Sequence, residues 1–534
     1  MKTSSLIILT CCSLGTVSRA QLQQGCIRID GGFVNMDFSD AAQVADGGFV
    51  SAGFHQFSNN GHIDACIARF DANGVLQWQK VWTAGPAYNS QAQAVLATAD
   101  GGFAAAGYVE GNVAQGLFVM KFDGQDNVQW TKSYMPAANN SVAMGADGFT
   151  QLADGGFALQ SLYGTLNGWG MLRTDAAGDV VWSDRLNPSF AGALDVAELP
   201  NGDLVFTGWG SDLATSALLL RKDGLTGTTE WLYNFGSDPG YNLDPFSVAM
   251  GPDSTIVLGG QCGALDGTGT IASFVMTISA GGVPQWISVF DTPYLDFGRD
   301  IAVDPNGGYV LCGYMVEDGT ANDVASFVAK VDDSGQPIWS KRFDHADQGT
   351  ERFYYASVTS DGGVLLSGQF GTTTSYPSLV VKLDADGNSC PYCPTAPIGT
   401  WSSLTPAVLP EGTSQSFGAW ATAADHVFTV IDITASAVAD VCGTVGVPEV
   451  VRPAAVTLAP NPFHTSTMLT LEIPQTSDNA TLVLRDVAGR TVRNQRVRSG
   501  ANVVERGGLS AGSYTYAIAA GPELITKGKV QVIE

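Results

Sequence analysis

Short runs of alternating apolar and polar residues fill the chain between residues 21 and 393, and one arrangement of them returns seven times. The first copy, from Asp46 to Trp78, is DGGFVSAG, a variable loop and CIARFDANGVLQW. Further copies begin 47 to 55 residues apart, at Asp100, Asp154, Asn201, Asp253, Asn306 and Asp361. Each copy contains four strand-like segments and no helical periodicity. Seven such units at a steady period predict an all-β fold with a seven-bladed β-propeller as the main domain.

Two tight turns punctuate each copy. The DGG or NGG turn and the later D-x-x-G turn contain dipeptides that tolerate positive φ, as tight hairpins require. With the Trp that follows, the second turn forms D-x-x-G-x-x-x-W, which is similar to the Trp-docking repeats of quinoprotein-like propellers, and the GG turns resemble kelch repeats. The first resemblance implies that each Trp packs between neighbouring blades. Quinoprotein enzymes have eight blades and adjacent cysteines at the cofactor, which this chain lacks after residue 20, so we predict no cofactor.

The seventh copy lacks its last strand. It ends in VVKLDADGNSC and continues as CPYCPTAP without a Trp. We expect residues about 26–37 to supply the missing strand and close the ring. A disulfide from Cys26 to Cys390 or Cys393 would fasten this closure in an exported chain. Cys442 is a further candidate for pairing with Cys390 or Cys393. Unpaired thiols at a frayed edge are the alternative.

The first 20 residues have the features of a secretory signal peptide. Lys2 is followed by the apolar run LIILTCCSLG, and SRA precedes Gln21 as a small-residue cleavage site. A lipoprotein signal at Cys11 is the alternative, which Thr10 disfavours. The apolar run is too short to span a bilayer, so we predict export to the cell surface or medium, through the periplasm, with no transmembrane segment.

Charge separates the chain into two parts. The net charge of −25 and the pI near 4.4 exclude nucleic acid as an expected partner. Residues 456–534 nevertheless contain eight Lys and Arg residues against six Asp and Glu residues. This contrast indicates a separate C-terminal domain after a linker at 448–455. The stretch 394–447 is a β-rich extension whose fold the sequence does not decide.

The C-terminal segment resembles a known family. The runs VTLAPNPFHTSTMLTLEIP, TLVLRDVAGRTVRN, LSAGSYTYAI and KGKVQVIE are similar to the C-terminal type A sorting domain of the type IX (Por) secretion system of Bacteroidetes. The matching positions are Pro460, Asn461, Pro462, Gly489, Gly512, Tyr514, Gly528 and Lys529. The resemblance implies recognition by the outer-membrane export machinery and later removal of the domain. Alternating strands broken by turns predict a small Ig-like β-sandwich for residues 456–534.

The variable connections supply the best functional hypothesis. Propeller topology places both short turns on one face and the two long connections on the other, where binding residues usually lie. On that second face we expect Tyr88, Tyr241, Asp244, Tyr294, Asp296, Arg299, Asp300, Asp347 and Tyr354. Aromatic rings among carboxylates suit a glycan or protein ligand, and a solvated rim with packing aromatics is the alternative.

Catalytic and metal signals are poor. The five histidines are dispersed, and the nucleophile-elbow pattern GLSAG lies in the sorting-domain turn. The Asp-rich turns are expected to be hairpins, with calcium binding as the alternative. We therefore predict a non-catalytic binding module. The alternative is an extracellular hydrolase or lyase acting on polysaccharide with Asp296 and Asp300 as paired carboxylates.

Overall fold

The structure is a computed structural model, and residue contacts divide it into two compact units, Met1–Cys442 and Gly443–Glu534. It describes residues 25–30, 35–56, 62–85, 87–111, 115–136, 148–163, 168–186, 193–209, 217–238, 241–264, 271–317, 324–344, 350–371, 378–388, 395–409, 421–425, 429–432, 437–440, 456–471, 480–486, 490–498, 500–520 and 523–533. Within these ranges the regular structure is β-strand apart from one 3-10 turn, Pro252–Ser254. None of them contains a helix long and apolar enough to cross a membrane.

The first unit consists mainly of seven four-stranded antiparallel sheets, which we number repeats 1 to 7. The N-terminal strand is β1 (Gly25–Asp30). Repeats 1 to 3 contain β2 (Asn35–Gln43), β3 (Phe49–Gln56), β4 (Ile63–Phe70), β5 (Leu76–Thr83), β6 (Tyr88–Ala97), β7 (Phe103–Gly111), β8 (Gln115–Phe122), β9 (Val128–Pro136), β10 (Phe149–Gln151), β11 (Phe157–Tyr163), β12 (Gly168–Thr174) and β13 (Val180–Arg185).

Repeats 4 to 7 continue the same meander, in which each strand pairs with the next. Their strands are β14 (Ala193–Glu198), β15 (Leu204–Trp209), β16 (Ala217–Lys222), β17 (Thr229–Asp238), β18 (Tyr241–Met250), β19 (Ile256–Ala264), β20 (Ile271–Ile278), β21 (Pro284–Asp291), β22 (Leu295–Val303), β23 (Tyr309–Val316), β24 (Val324–Val331), β25 (Pro337–Phe343), β26 (Thr350–Val358), β27 (Val364–Gly371) and β28 (Ser378–Leu383). We call the first strand of each repeat the inner strand and the fourth the outer strand.

The N-terminal strand completes repeat 7, as the sequence predicted. Strand β1 pairs antiparallel with β28 over five residue pairs, from Gly25 opposite Lys382 to Ile29 opposite Ser378. The seven inner strands together line one cavity. Four-stranded antiparallel sheets arranged around a common cavity are the architecture of a β-propeller. Cys390, Cys393 and Cys442 lie outside the described residues, so the predicted disulfides stay predictions.

The D-x-x-G turns join neighbouring repeats. The indole N–H of Trp78 donates to Asp126 Oδ2 at 2.9 Å, and that of Trp182 donates to Gly224 O at 2.8 Å, in each case in the turn of the next repeat. Trp286 lies against Gly335 of the following turn, where a Cβ atom would be 2.7 Å from the ring. The predicted packing of Trp between repeats is therefore confirmed at these positions.

An ion pair inside six of the repeats holds the other turn. A basic residue of the third strand pairs with an aspartate of the DGG-type turn in six of the seven repeats, and one oxygen of Asp46 also accepts the N–H of Gly48. The pairs are Arg69–Asp46, Lys121–Asp100, Arg173–Asp154, Arg221–Asp203, Lys330–Asp304 and Lys382–Asp361. In repeat 5 the corresponding third-strand position is the buried Thr277.

The described strands of the extension after repeat 7 pair with the outer strands of six repeats. We call its strands the girdle: β29 (Thr395–Pro397), β30 (Thr400–Leu409), β31 (Ala421–Asp425), β32 (Thr429–Asp432) and β33 (Ala437–Asp440). All five strands pair antiparallel with outer strands. Strand β29 pairs with that of repeat 6, β30 with β21 of repeat 5 and β17 of repeat 4, β31 with that of repeat 2, β32 with that of repeat 1, and β33 with β1 of repeat 7. The girdle therefore runs in reverse repeat order, ends on β1, and covers strand edges that would otherwise be open to pairing.

The second unit contains two antiparallel sheets around its own apolar core. One sheet is formed by β34 (Val456–Ala459), β35 (Ser466–Leu471) and β38 (Gly500–Glu505), and the other by β36 (Ala480–Arg485), β37 (Thr491–Val497), β39 (Gly512–Ala520) and β40 (Glu523–Val532). Leu469, Leu482, Ile518 and Val530 are among the buried residues. The alternation of apolar and polar positions along these strands matches their burial.

Candidate functional site

A cavity of about 450 Å³ lies at the centre of the first unit. Residues of all seven inner strands line it, so it is the central channel of the propeller. Its charged lining residues are Asp40, Asp195, Arg299 and Asp300. Rings come from Phe149, Phe246, Tyr354 and Tyr355. The volume is in the range of small-ligand sites, and polar side chains, among them Gln43, Ser247 and Ser357, line the cavity together with apolar ones.

A β-bulge interrupts six of the inner strands at the same level. The extra residue that the bulge inserts into the inner strand is Ser39, Gln93, Leu194, Phe246, Arg299 or Tyr354. A glycine of the second strand lies opposite most bulges. A side chain would not fit there, since a Cβ atom at Gly313 or Gly368 would collide with the backbone of the inner strand. The last glycine of the repeat motif is therefore the sequence signal for the bulge.

The channel carboxylates hold adjacent inner strands together. Asp40 accepts the backbone N–H of Val95 at 2.8 Å, and Asp195 accepts that of Val248 at 2.8 Å, in each case from the next repeat. Each also accepts the N–H of the residue that follows it in its own strand. These oxygens are therefore engaged in joining the sheets.

Asp300 ties three consecutive inner strands. Its Oδ1 accepts the N–H of Ile301 at 2.8 Å and the hydroxyl of Ser247 at 2.6 Å, and its Oδ2 accepts the N–H of Ala356 at 2.7 Å. Ser247 also lies 3.0 Å from Asp195 Oδ2. Burial, and in addition the charge of Asp300, raise the pKa of Asp195 well above its ordinary value. Asp300 is thus placed to hold the ring together.

Arg299 is surrounded by aromatic rings. Its guanidinium carbon lies 4.5 Å from the ring centre of Phe246, 5.2 Å from that of Tyr314 and 5.8 Å from that of Tyr354. Its Nη2 donates to the Tyr314 hydroxyl at 2.8 Å. The guanidinium carbon of Arg352 lies 5.5 Å from the ring centre of Tyr314. We call Phe246, Arg299, Tyr314, Arg352 and Tyr354 the arginine–aromatic cluster, and its members make cation–π contacts.

The structure brings together only some of the predicted face. Arg299, Asp300 and Tyr354 line the channel. Tyr88 and Tyr294 are partly buried where inner strands begin, and Asp244 lies in β18, where burial raises its pKa and the Gln261 amide donates to it. The backbone of Tyr241 begins β18, and Asp347 lies outside the described residues. Phe246, Tyr314 and Arg352 were absent from the prediction, although Phe246 is the extra residue of a bulge that a glycine of the second strand marks.

Asp296 and Asp300 do not form a catalytic pair. Side chains alternate between the two faces of the sheet along β22, and the bulge at Arg299 reverses this alternation. As a result, Asp300 lies on the same face as Phe297, whereas Asp296 lies on the other face, with Gly298. Asp296 is fully buried and accepts both the N–H and the hydroxyl of Thr292. Burial raises its pKa to about 7. Two carboxylates on opposite sheet faces cannot flank one glycosidic bond, as glycoside hydrolysis requires.

The Asp-rich turns use their carboxylates internally. Oδ1 of Asp71 accepts the N–H groups of Asn73 and Val75, and Oδ1 of Asp332 accepts those of Ser334 and Gln336. This is an Asx-type turn. The described part of the chain contains no group of three or more metal-ligating side chains. Calcium binding stays a prediction.

Comparisons with known proteins do not assign a family. Neither a protein-family model nor a curated protein matches the chain. Similar solved structures include PorZ of Porphyromonas gingivalis, titled a surface component of the type-IX secretion system (13% identity, TM-score 0.37, 93% of this chain and 59% of that one). A Dyadobacter fermentans protein of unknown function gives 13% identity and a TM-score of 0.41 over 68% of this chain and 98% of that one.

A quinohemoprotein alcohol dehydrogenase from Comamonas testosteroni is a third similar structure. It gives 11% identity and a TM-score of 0.29 over 79% of this chain and 66% of that one. This chain spans 59% of the PorZ chain. At these identities and TM-scores the similarities carry no inference about ligand, activity or export.

Proposed function

We propose that this protein is an exported, non-catalytic seven-bladed β-propeller that binds a glycan or protein ligand at the arginine–aromatic cluster of its channel. The observation that carries the proposal is the contrast between the two kinds of channel side chain. The carboxylates accept backbone hydrogen bonds from neighbouring strands, whereas Phe246, Arg299 and Tyr354 are residues that bulges insert into the inner strands, and all three line the cavity. Side chains that project into a cavity from a rigid scaffold are suited to binding.

The alternative, an extracellular hydrolase or lyase, gains no support from the geometry. Its proposed carboxylates, Asp296 and Asp300, belong to opposite sheet faces and make internal hydrogen bonds. A binding role needs no such pair. The ring architecture itself favours binding, because seven inner strands hold the channel side chains in place.

We further propose that the second unit is an Ig-like sorting domain for the type IX secretion system, with delivery to the cell surface or medium. Two positions of the motif meet in the structure: the Asn461 side-chain amide donates to Lys529 O at 3.1 Å and its Oδ1 accepts the N–H of Gln531 at 2.9 Å. The buried Tyr514 donates to Ser510 O, four residues upstream, like the tyrosine corner of Ig-like domains. The predicted signal peptide and Gly489 lie outside the described residues.

A thermal-shift screen of the full chain tests the binding proposal. Glycans, candidate protein ligands and calcium are added separately, and a ligand that binds only the folded state raises the melting temperature. We expect a saturable rise that Phe246→Ala and Tyr354→Ala reduce and that Tyr88→Ala leaves unchanged. Flat curves for all ligands, or a rise that the cluster variants do not alter, would contradict the proposed site.

The export proposal has its own test. A fluorescent protein with a signal peptide is fused to residues 443–534 and produced in a bacterium that has a type IX system. We expect fluorescence outside the cell, and retention in the periplasm when Asn461→Ala removes the contacts to β40. Equal export of both fusions, or of neither, would refute the role of this unit.

A further inference from the structure

Arg299 and Arg352 differ from the other arginines that project along the strands of the propeller. Arg69, Arg173 and Arg221 each contact an aspartate of their own repeat. Among the described residues, no carboxylate lies within 4.0 Å of the guanidinium group of Arg299 or Arg352. Both guanidinium groups instead lie against ring faces of the cluster. The cluster therefore presents two cations without anionic partners.

One donor in the cluster is buried without an acceptor. Arg299 Nε has no hydrogen-bond partner and is inaccessible to solvent, whereas Nη2 of the same group is held by Tyr314. A buried donor without an acceptor is costly, and the cost is removed when an acceptor of suitable geometry arrives. The flat guanidinium, already oriented by three rings, matches the two oxygens of a carboxylate.

The channel wall disfavours a peptide as the source of that carboxylate. Peptides that bind sheets use main-chain hydrogen bonds to free strand groups. Here the N–H groups exposed by the bulges, those of Val95, Val248 and Ala356, already donate to aspartates. The cavity has a volume of about 450 Å³ and is lined by aromatic rings and side-chain donors. These are features that recognise a small polar ring.

We propose that the arginine–aromatic cluster binds the carboxylate of an acidic sugar, such as a uronic acid unit of a polysaccharide, through Arg299. The proposal rests on the binding function proposed above and specifies its ligand class. The carboxylate occupies the Arg299 side of the cavity, because Arg299 is the one cationic side chain among the described residues that line it. Arg352 contributes a second positive charge next to Tyr314.

The test is a titration of the full chain with matched acidic and neutral polymers. Oligomers of galacturonate, glucuronate and mannuronate are compared with galactose, glucose and mannose oligomers of equal length. We expect at least one acidic oligomer to bind at least tenfold more tightly than its neutral counterpart. Arg299→Gln is expected to weaken that binding at least tenfold, since a charge-assisted hydrogen bond is lost. Arg299→Lys keeps the charge and should recover part of the affinity.

The control is Arg342→Gln, which removes an arginine of an outer strand that pairs with Glu317 and Asp344. It should leave acidic-sugar binding unchanged, and equal melting temperatures of the variants show that they are folded. Binding of neutral oligomers that Arg299→Gln does not affect would overturn this inference and leave the proposed binding function standing. Absence of binding to every oligomer of both series would overturn this inference together with the glycan form of the proposed function.

Discussion

Replacement of Asp300 by alanine separates a structural role of this residue from a catalytic one. The carboxylate accepts three hydrogen bonds, from Ile301, Ser247 and Ala356, which belong to the inner strands of repeats 6, 5 and 7. Alanine removes all three acceptor contacts. It also leaves two backbone N–H groups in the channel wall without their partners.

The expected loss follows from these contacts. A hydrogen bond to a charged group contributes about 1.5–3 kcal/mol, so three give a simple sum of about 4.5–9 kcal/mol. Neighbouring contacts are not additive, and water in the channel can satisfy part of the freed N–H groups. We therefore expect Asp300→Ala to lower the free energy of unfolding by about 3–5 kcal/mol. It should also lower the pKa of Asp195, because the charge of Asp300 helps to raise it.

Urea unfolding of the full chain, followed by tryptophan fluorescence, measures this loss. Asp386→Ala is the matched control, since Asp386 is an exposed aspartate of a D-x-x-G turn, and it should change stability by less than about 0.5 kcal/mol. Ser247→Ala removes one of the three contacts and should cost about 1 kcal/mol. If Asp300→Ala unfolds at the same urea concentration as the control, Asp300 does not tie the strands and its role must be sought in chemistry.

Three further predictions concern other parts of the first unit. Burial raises the pKa of Asp296 to about 7 from 3.8. The folded state therefore holds a proton that the unfolded state has lost, and the free energy of unfolding should fall as the pH rises from about 4 to about 7. Asp296→Asn should remove this fall in urea titrations at several pH values, and an equal pH dependence of the variant and the original protein would contradict the prediction. Trp182→Phe removes an indole hydrogen bond, whereas the buried Nε1 of Trp231 has no partner to lose. Trp182→Phe should therefore lower the free energy of unfolding by about 1 kcal/mol more than Trp231→Phe does. Equal melting curves of the two variants would refute this difference. In a chain that ends before the girdle, backbone amides of the outer strands should exchange with deuterium faster than in the full chain, while the exchange rates of inner-strand amides should change little. Unchanged exchange rates in the outer strands would show that the girdle does not protect those strands.

The sequence predicts the repeated sheets because their signals are local. Asp-Gly turns and short apolar or alternating runs define each strand from its own residues, and the lack of the motif's Trp directly after the turn at Asp384 identified the strand that β1 replaces. The packing of Trp between repeats also follows from the motif. By contrast, the girdle was left undecided, because a short strand of 3 to 10 residues carries no signal for the edge with which it pairs.

The candidate site was only partly predictable. Arg299 and Tyr354 line the channel, although the sequence predicted them on the face of the variable connections, where Asp300 was paired with Asp296 as a second carboxylate. A single bulge at Arg299 puts them on opposite faces. Tyr314 was missed because it lies on a second strand, which the hypothesis about variable connections did not include.

The sequence by itself determined the number of repeats, their strands, their turns and the strand that closes the last sheet, since these depend on periodicity and on turn residues within about 50 positions. Only the tertiary structure decided which side chains meet in the channel and which edges the girdle covers. Inner strands must bend where they converge on a common axis, and the bulges that bend them reverse the alternation on which sequence reasoning relies. Contacts between repeats, such as that of Asp300 with Ser247 and Ala356, arise only when the sheets are brought side by side.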